Sequence, residues 1–175
     1  LAAAEASLRR LGVDCIDLYQ SHWNDKRTPL EETLGAYQTL IEQGKVRAIG
    51  CSNYDAARLL ESIEVAQLHG LPGYQTLQPP YNLMQRDAFE GELRDVCQRE
   101  GIGVISYYGL ASGFLTGKYR TLADTEGRTR GEAARKHLES TRGPVVLAAL
   151  DAVAGKHGAT QAQVALAWIL AQPGI

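Results

Sequence analysis

Cysteine is scarce and scattered in this chain. Cys15, Cys51 and Cys97 are odd in number, far apart and form no CxxC pair, which supports neither a disulfide framework nor a zinc site. No metal is expected, and a reducing cytoplasm is the expected compartment. Long apolar runs are also missing: none approaches the roughly 18 residues that a membrane span needs. The first residues carry Glu5 and the Arg9–Arg10 pair with no apolar block, unlike a secretory signal. Neither sign of charge dominates. Eighteen Lys and Arg against 20 Asp and Glu leave a net charge of −2, so there is no general electrostatic reason to bind nucleic acid or an anionic membrane. Finally, no GxGxxG follows any strand-like segment, which weakens the case for a dinucleotide-binding doubly wound sheet.

What is present is an ordinary globular composition, 45% apolar over 175 residues, a length that fits one domain or a piece of a larger one. Strand-like and helix-like segments alternate. Residues 1–11 form an Ala-rich helix with Gly12 as its stop. Residues 15–21 read as a strand. Thr28, Pro29 and Glu31 propose a capping box that opens a helix running to Gly44. Residues 46–50 give a second strand, 55–69 a helix with Gly70 after it, and 74–78 a third strand. Residues 88–100 are helical, and 103–107 form a fourth strand. The polar, basic, Gly-containing stretch 121–142 reads as an exposed loop or a poorly ordered excursion. Two helices close the chain, 144–157 and 161–172, with a capping box at Thr160 and Gln163.

Strands separated by single helices imply βαβ units and a parallel sheet. A doubly wound sheet and a (β/α)₈ barrel both fit the alternation. In a barrel, function collects at the C-terminal strand ends. Those ends carry Ser21-His22-Trp23, Gly50-Cys51-Ser52-Asn53, Gln78-Pro79-Pro80-Tyr81-Asn82 and Tyr107-Tyr108-Gly109-Leu110. Polar groups mixed with aromatic faces suit a planar polar ligand. Each residue also has a plain structural reading: His22 as a packing residue, Ser52-Asn53 as a helix cap, Tyr107 as a rim aromatic, Tyr81-Asn82 as the shape of a turn.

Taken together, the endings resemble the aldo-keto reductase family. The matching stretches are residues 7–23, 28–54, 77–86 and 101–120, and 160–175 fits the family's late helix. The combination of GKVRAIGCSN with GFLTGKY is the most specific part. The resemblance implies an α/β fold, a (β/α)₈ TIM barrel of parallel strands alternating with helices. Residues 1–175 would form a single partial barrel domain, holding strands four to seven and lacking the first three and the last βα units. It implies an oxidoreductase that reduces aldehydes or ketones with NADP(H), a small-molecule carbonyl as partner, and no nucleic acid or membrane; the oligomeric state is left open.

The same resemblance assigns roles by position. His22 matches the catalytic histidine that polarises the substrate carbonyl, and Trp23 an aromatic beside the substrate pocket. Ser52, Asn53 and Gln78 match the residues that hydrogen-bond the nicotinamide carboxamide, a group that Asn and Gln suit as both donor and acceptor. Tyr107 matches the aromatic stacked on the nicotinamide ring. Leu110, Ser112, Gly113, Leu115, Gly117 and Lys118 match the segment over the cofactor pyrophosphate. The family's catalytic Asp, Tyr and Lys are expected upstream of Leu1, so residues 1–175 alone are expected to be inactive. A non-enzymatic, nicotinamide-binding regulatory subunit of the same family would show the same late strands. An unrelated phosphate-binding barrel enzyme would leave Ser52-Asn53 and Tyr107 unexplained.

Overall fold

A computed structural model describes residues Leu1–Ile175. Its chain falls into two compact units, Leu1–Pro79 with Gly91–Ile105 and Gly174, and Pro80–Glu90 with Ser106–Pro173 and Ile175.

The first unit is a run of βα units. Helix α1 (Ala2–Leu11) precedes strand β1 (Ile16–Ser21). Then follow α2 (Leu30–Glu42), β2 (Val46–Ser52), α3 (Ala56–His69), β3 (Thr76–Gln78), α4 (Glu92–Arg99) and β4 (Gly103–Val104). The four strands form one parallel sheet in the order β1-β2-β3-β4. Consecutive parallel neighbours joined by helical crossovers are what a (β/α)₈ barrel is built from, and the fold class is α/β of that kind. In register, Gln20 lies beside Gly50, Gly50 beside Thr76, and Thr76 beside Gly103. A Cβ at Gly50 would lie 2.1 Å from Thr76 Oγ1, so this layer closes only around a glycine. Ile49, Cys51, Leu77 and Val104, on the opposite face, are buried. There Ser21 Oγ meets the Tyr37 hydroxyl at 2.7 Å and that of Tyr74 at 3.2 Å, and the hydroxyls of Tyr74 and Tyr54 are 3.3 Å apart. Burial raises the pKa of all three tyrosines.

The helix ends follow local chemistry. Gly12 and Gly70 take left-handed conformations after α1 and α3. The Asp55 side chain accepts from the Arg58 amide at 2.8 Å and caps α3. Asp55→Ala is therefore expected to lower the unfolding free energy by about 1 kcal/mol, while Asp55→Asn retains most of it; urea titrations of the two variants measure the difference, and equal losses would rule out the cap.

Four sequence expectations are corrected. The cap of α2 is Pro29, with no side-chain bond. Thr28 turns back instead, and its hydroxyl donates to Asp25, which also accepts from the Arg27 amide; this local Asx turn wins over the capping box. Helix α4 starts at Glu92, after Gly91 at φ 94° breaks the preceding turn. Strand β4 stops at Val104: the chain after its neighbour β3 continues as Pro79-Pro80, which has no N–H to extend a ladder. The stretch 121–142 is not an excursion. It contains a 3₁₀ turn (Ala123–Thr125) and helix α5 (Gly131–Glu139).

The second unit explains that last difference. A Cβ at Gly131 would meet the Thr125 carbonyl oxygen at 1.9 Å, and one at Gly143 the His137 carbonyl oxygen at 1.9 Å. The glycines there serve close packing. Helices α6 (Arg142–His157) and α7 (Gln161–Leu170) follow, α7 opened by the expected Thr160–Gln163 capping box. Phe114, Leu115, Tyr119, Ala134, Leu147, Leu150 and Ala165 form this unit's core. Arg120 clasps Asp151 with two hydrogen bonds of 2.7 and 2.9 Å and donates to the Gly117 carbonyl at 2.7 Å, which ties the end of the 110–120 segment to α6.

Candidate active site

Parallel pairing brings the C-terminal ends of β1, β2 and β3 together, and their last residues are linked. The Ser52 hydroxyl donates to the Gln78 carbonyl at 2.7 Å. The Asn53 amide donates to the His22 carbonyl at 2.9 Å and to the Ser52 hydroxyl at 3.0 Å. Ser52 is buried and serves as a bridge between β2 and β3. Asn53 sits at φ 61°, a left-handed conformation that Asn tolerates better than most residues. Its amide reaches 31 residues back to His22. The His22 ring is exposed and stacks on Trp23 at 5.4 Å and 25°; Trp23 itself is 66% exposed. An imidazole and an indole thus stand at the sheet's end, where the Asn53 side chain bonds the His22 carbonyl.

In the second unit, Tyr107 pairs with Pro80 in an isolated parallel bridge, and its ring lies 5.0 Å from that of Tyr108. Burial and the neighbouring Tyr108 raise the Tyr107 pKa. The backbone then becomes strained. Tyr108, Ala111 and Ser112 have φ of 57°, 47° and 56°. Such residues cost on the order of 1–3 kcal/mol each and persist only where their surroundings over-determine them. Together with Asn53 they are all the non-glycine residues of the chain with positive φ, so this strain is confined to the two segments singled out from the sequence. Gly113 follows at φ 92°, and a Cβ there would lie 3.2 Å from Lys118 Nζ. The Lys118 ammonium also lies over the Tyr119 ring at 4.9 Å. Leu115 is buried in the core and Leu110 packs against it. Gly117 takes φ 76° against the Gln161 side chain.

In the first unit the Asn53 side chain is an amide, a group able both to donate to and to accept from a carboxamide. In the second, the Lys118 ammonium beside the Gly113 turn is of a kind that suits a phosphate. Burial pushes the Cys51 thiol well up and the Cys97 thiol up to about 11, which disfavours thiolate chemistry at these two residues. No cluster of three metal-ligating side chains is present. From the sequence alone, Tyr81 and Asn82 read as the shape of a turn. Both are almost fully buried, and the PYN run after β3 was the signal that could have marked them as part of the site's support.

Parallel βα units whose strand ends collect a histidine, amides and aromatics define a barrel-type ligand site. Comparison with known proteins makes this specific: the Aldo/keto reductase family description matches residues 1–175. The chain belongs to that family. It is 33% identical to L-glyceraldehyde 3-phosphate reductase of Escherichia coli (strain K12) over 97% of its length and 50% of that protein's. It is 38% identical to aldo-keto reductase YhdN of Bacillus subtilis (strain 168), again over 97% and 50%. It is 36% identical to aldo-keto reductase str7 of Strobilurus tenacellus over 95% and 49%. The chain thus spans about half the length of the curated relatives it matches.

Proposed function

We propose that this chain belongs to an NADP(H)-dependent oxidoreductase that reduces small aldehydes or ketones to alcohols, within one barrel domain. The observation that carries the reading is the linked group His22, Ser52, Asn53 and Gln78 at three parallel strand ends. The relatives' names as reductases support it. The reduced nicotinamide, when bound, supplies the hydride. Asn53 and Gln78 orient its carboxamide, and Ser52 holds their strands at the right spacing. Tyr107 would hold the nicotinamide by offering a ring face for stacking. Ser112, Gly113, Gly117 and Lys118 carry the pyrophosphate, with Leu110 and Leu115 anchoring that segment to the core. His22 donates a hydrogen bond to the substrate oxygen, where negative charge develops. Trp23 lines the entry for the rest of the substrate.

No helix is long and apolar enough to cross a membrane, and we place the protein in the cytoplasm on its composition. The test is NADPH oxidation by the full-length protein with an aromatic aldehyde. No turnover, with intact NADPH binding, would sink the enzymatic reading. Tyr107→Ala tests the binding half. Loss of the stacking face is expected to raise the NADPH dissociation constant by about 2- to 12-fold, or about 0.5–1.5 kcal/mol beyond the area lost. An unchanged constant by fluorescence titration would remove Tyr107 from the cofactor's surroundings.

A further inference from the structure

Tyr108 is an exposed tyrosine held in a left-handed conformation, 57% exposed and at φ 57°. Nothing about its own burial demands that backbone. The reason lies in residues 80–90. Asn82 is 1% exposed, and its side chain does two separate things. Its Oδ1 accepts from the Met84 amide at 2.8 Å, which shapes the local turn. Its Nδ2 donates to the Tyr108 carbonyl at 3.0 Å, 26 residues away. A residue that only shaped the turn would need only the oxygen. The adjacent Tyr81 amide donates to the Tyr107 carbonyl at 3.2 Å. Two consecutive carbonyls, of Tyr107 and Tyr108, are therefore hung on two consecutive residues.

Those residues sit on a firm base. The Tyr81 ring packs against Phe89 and Trp168 at 5.1 and 5.3 Å. Its hydroxyl donates to Glu90 at 2.6 Å, and Glu90 accepts two further bonds from Arg86 at 2.7 and 2.8 Å. The Tyr108 carbonyl also accepts from the Ala111 amide at 2.7 Å, so it is fixed from both sides. Strained backbone persists where its surroundings hold it in this way.

We propose that Asn82 is a positioning residue for Tyr107: its amide pins the Tyr108 carbonyl, keeps residue 108 left-handed, and so holds the Tyr107 ring in its stacking pose. This rests on the reading of Tyr107 as a nicotinamide platform. Asn82 itself touches no ligand.

The test is a double-mutant cycle in the full-length protein. Asn82→Asp keeps the acceptor for Met84 and removes the donor to Tyr108. Asn82→Ala is run beside it, because it buries no charge. Tyr108→Gly removes the steric penalty of the left-handed conformation. Two quantities are read: NADPH affinity, and hydrogen exchange of the backbone amides of residues 106–116. In the Tyr108 background, each Asn82 variant is expected to weaken NADPH binding about tenfold, equivalent to about 1.4 kcal/mol, and to speed exchange in 106–116. In the Tyr108→Gly background the same changes are expected to cost about twofold or less, because glycine needs no clamp. Equal losses in both backgrounds, or no change in exchange, would overturn the proposal. If Tyr107→Ala leaves NADPH affinity unchanged, the functional reading fails separately, and the exchange measurement alone decides whether Asn82 holds the segment.

Discussion

His22→Ala in the full-length protein is expected to lower kcat for aldehyde reduction by about 10²- to 10³-fold, the usual loss for one donor to a developing oxyanion. NADPH affinity should fall by less than about twofold, because the role proposed for the imidazole is at the substrate oxygen and not on the cofactor. The geometry makes this separation clean. The His22 ring is exposed and its ring contact is with Trp23, so truncation opens no cavity. What ties residue 22 to the site is its backbone carbonyl, which accepts from Asn53. Alanine keeps that carbonyl. Steady-state kinetics with an aromatic aldehyde, alongside NADPH titration, measure the two quantities. Equal losses in kcat and in cofactor affinity would make His22 a structural residue.

Asn53 gives a useful contrast. Its side chain holds the His22 carbonyl and the Ser52 hydroxyl at once. From the sequence it is one more polar residue at a strand end. The link to His22 spans 31 positions, and no local signal encodes it. The same holds for Asn82, whose partner Tyr108 lies 26 residues on. Several helix caps were legible because they are local: Gly12, Gly70 and the Thr160–Gln163 box act within a turn of themselves. The box at Thr28 failed for an equally local reason, since Asp25 competes for its hydroxyl. The short β4 was hidden because it depends on Pro79 and Pro80 after a neighbouring strand. In 121–142, glycine content suggested looseness. The missing Cβ atoms instead let Gly131 and Gly143 sit against the carbonyls of Thr125 and His137. A glycine reads the same in sequence whether it frees a backbone or lets two backbones touch.

Residues 1–175 expressed alone are expected to show no carbonyl reduction above a His22→Ala control. Reduction leaves an alkoxide that must be protonated as it forms. A positioned acid contributes about 10²- to 10⁴-fold, provided its pKa lies near the working pH. The expectation from the resemblance is that this acid, a Tyr tuned by Lys and Asp, is not among these residues. The eight tyrosines present give no substitute. Burial raises the pKa of Tyr37, Tyr54 and Tyr74, which makes each a poorer proton donor. The Tyr81 hydroxyl is committed as hydrogen-bond donor to Glu90. Tyr119 is buried, and Lys118 meets its ring face. The Tyr107 pKa is raised by burial and by Tyr108, and its proposed place is against the nicotinamide. Tyr19 packs edge-on to Tyr37. Tyr108 alone is exposed, and it carries no lysine partner. Among the lysines, Lys45 pairs with Glu5 and Lys136 with Glu132. The measurement is NADPH oxidation by the purified chain with a generic aromatic aldehyde, after circular dichroism has established that it folds. Turnover well above the control, and lost in Tyr108→Phe, would mean that Tyr108 donates the proton and that the acid lies within these 175 residues.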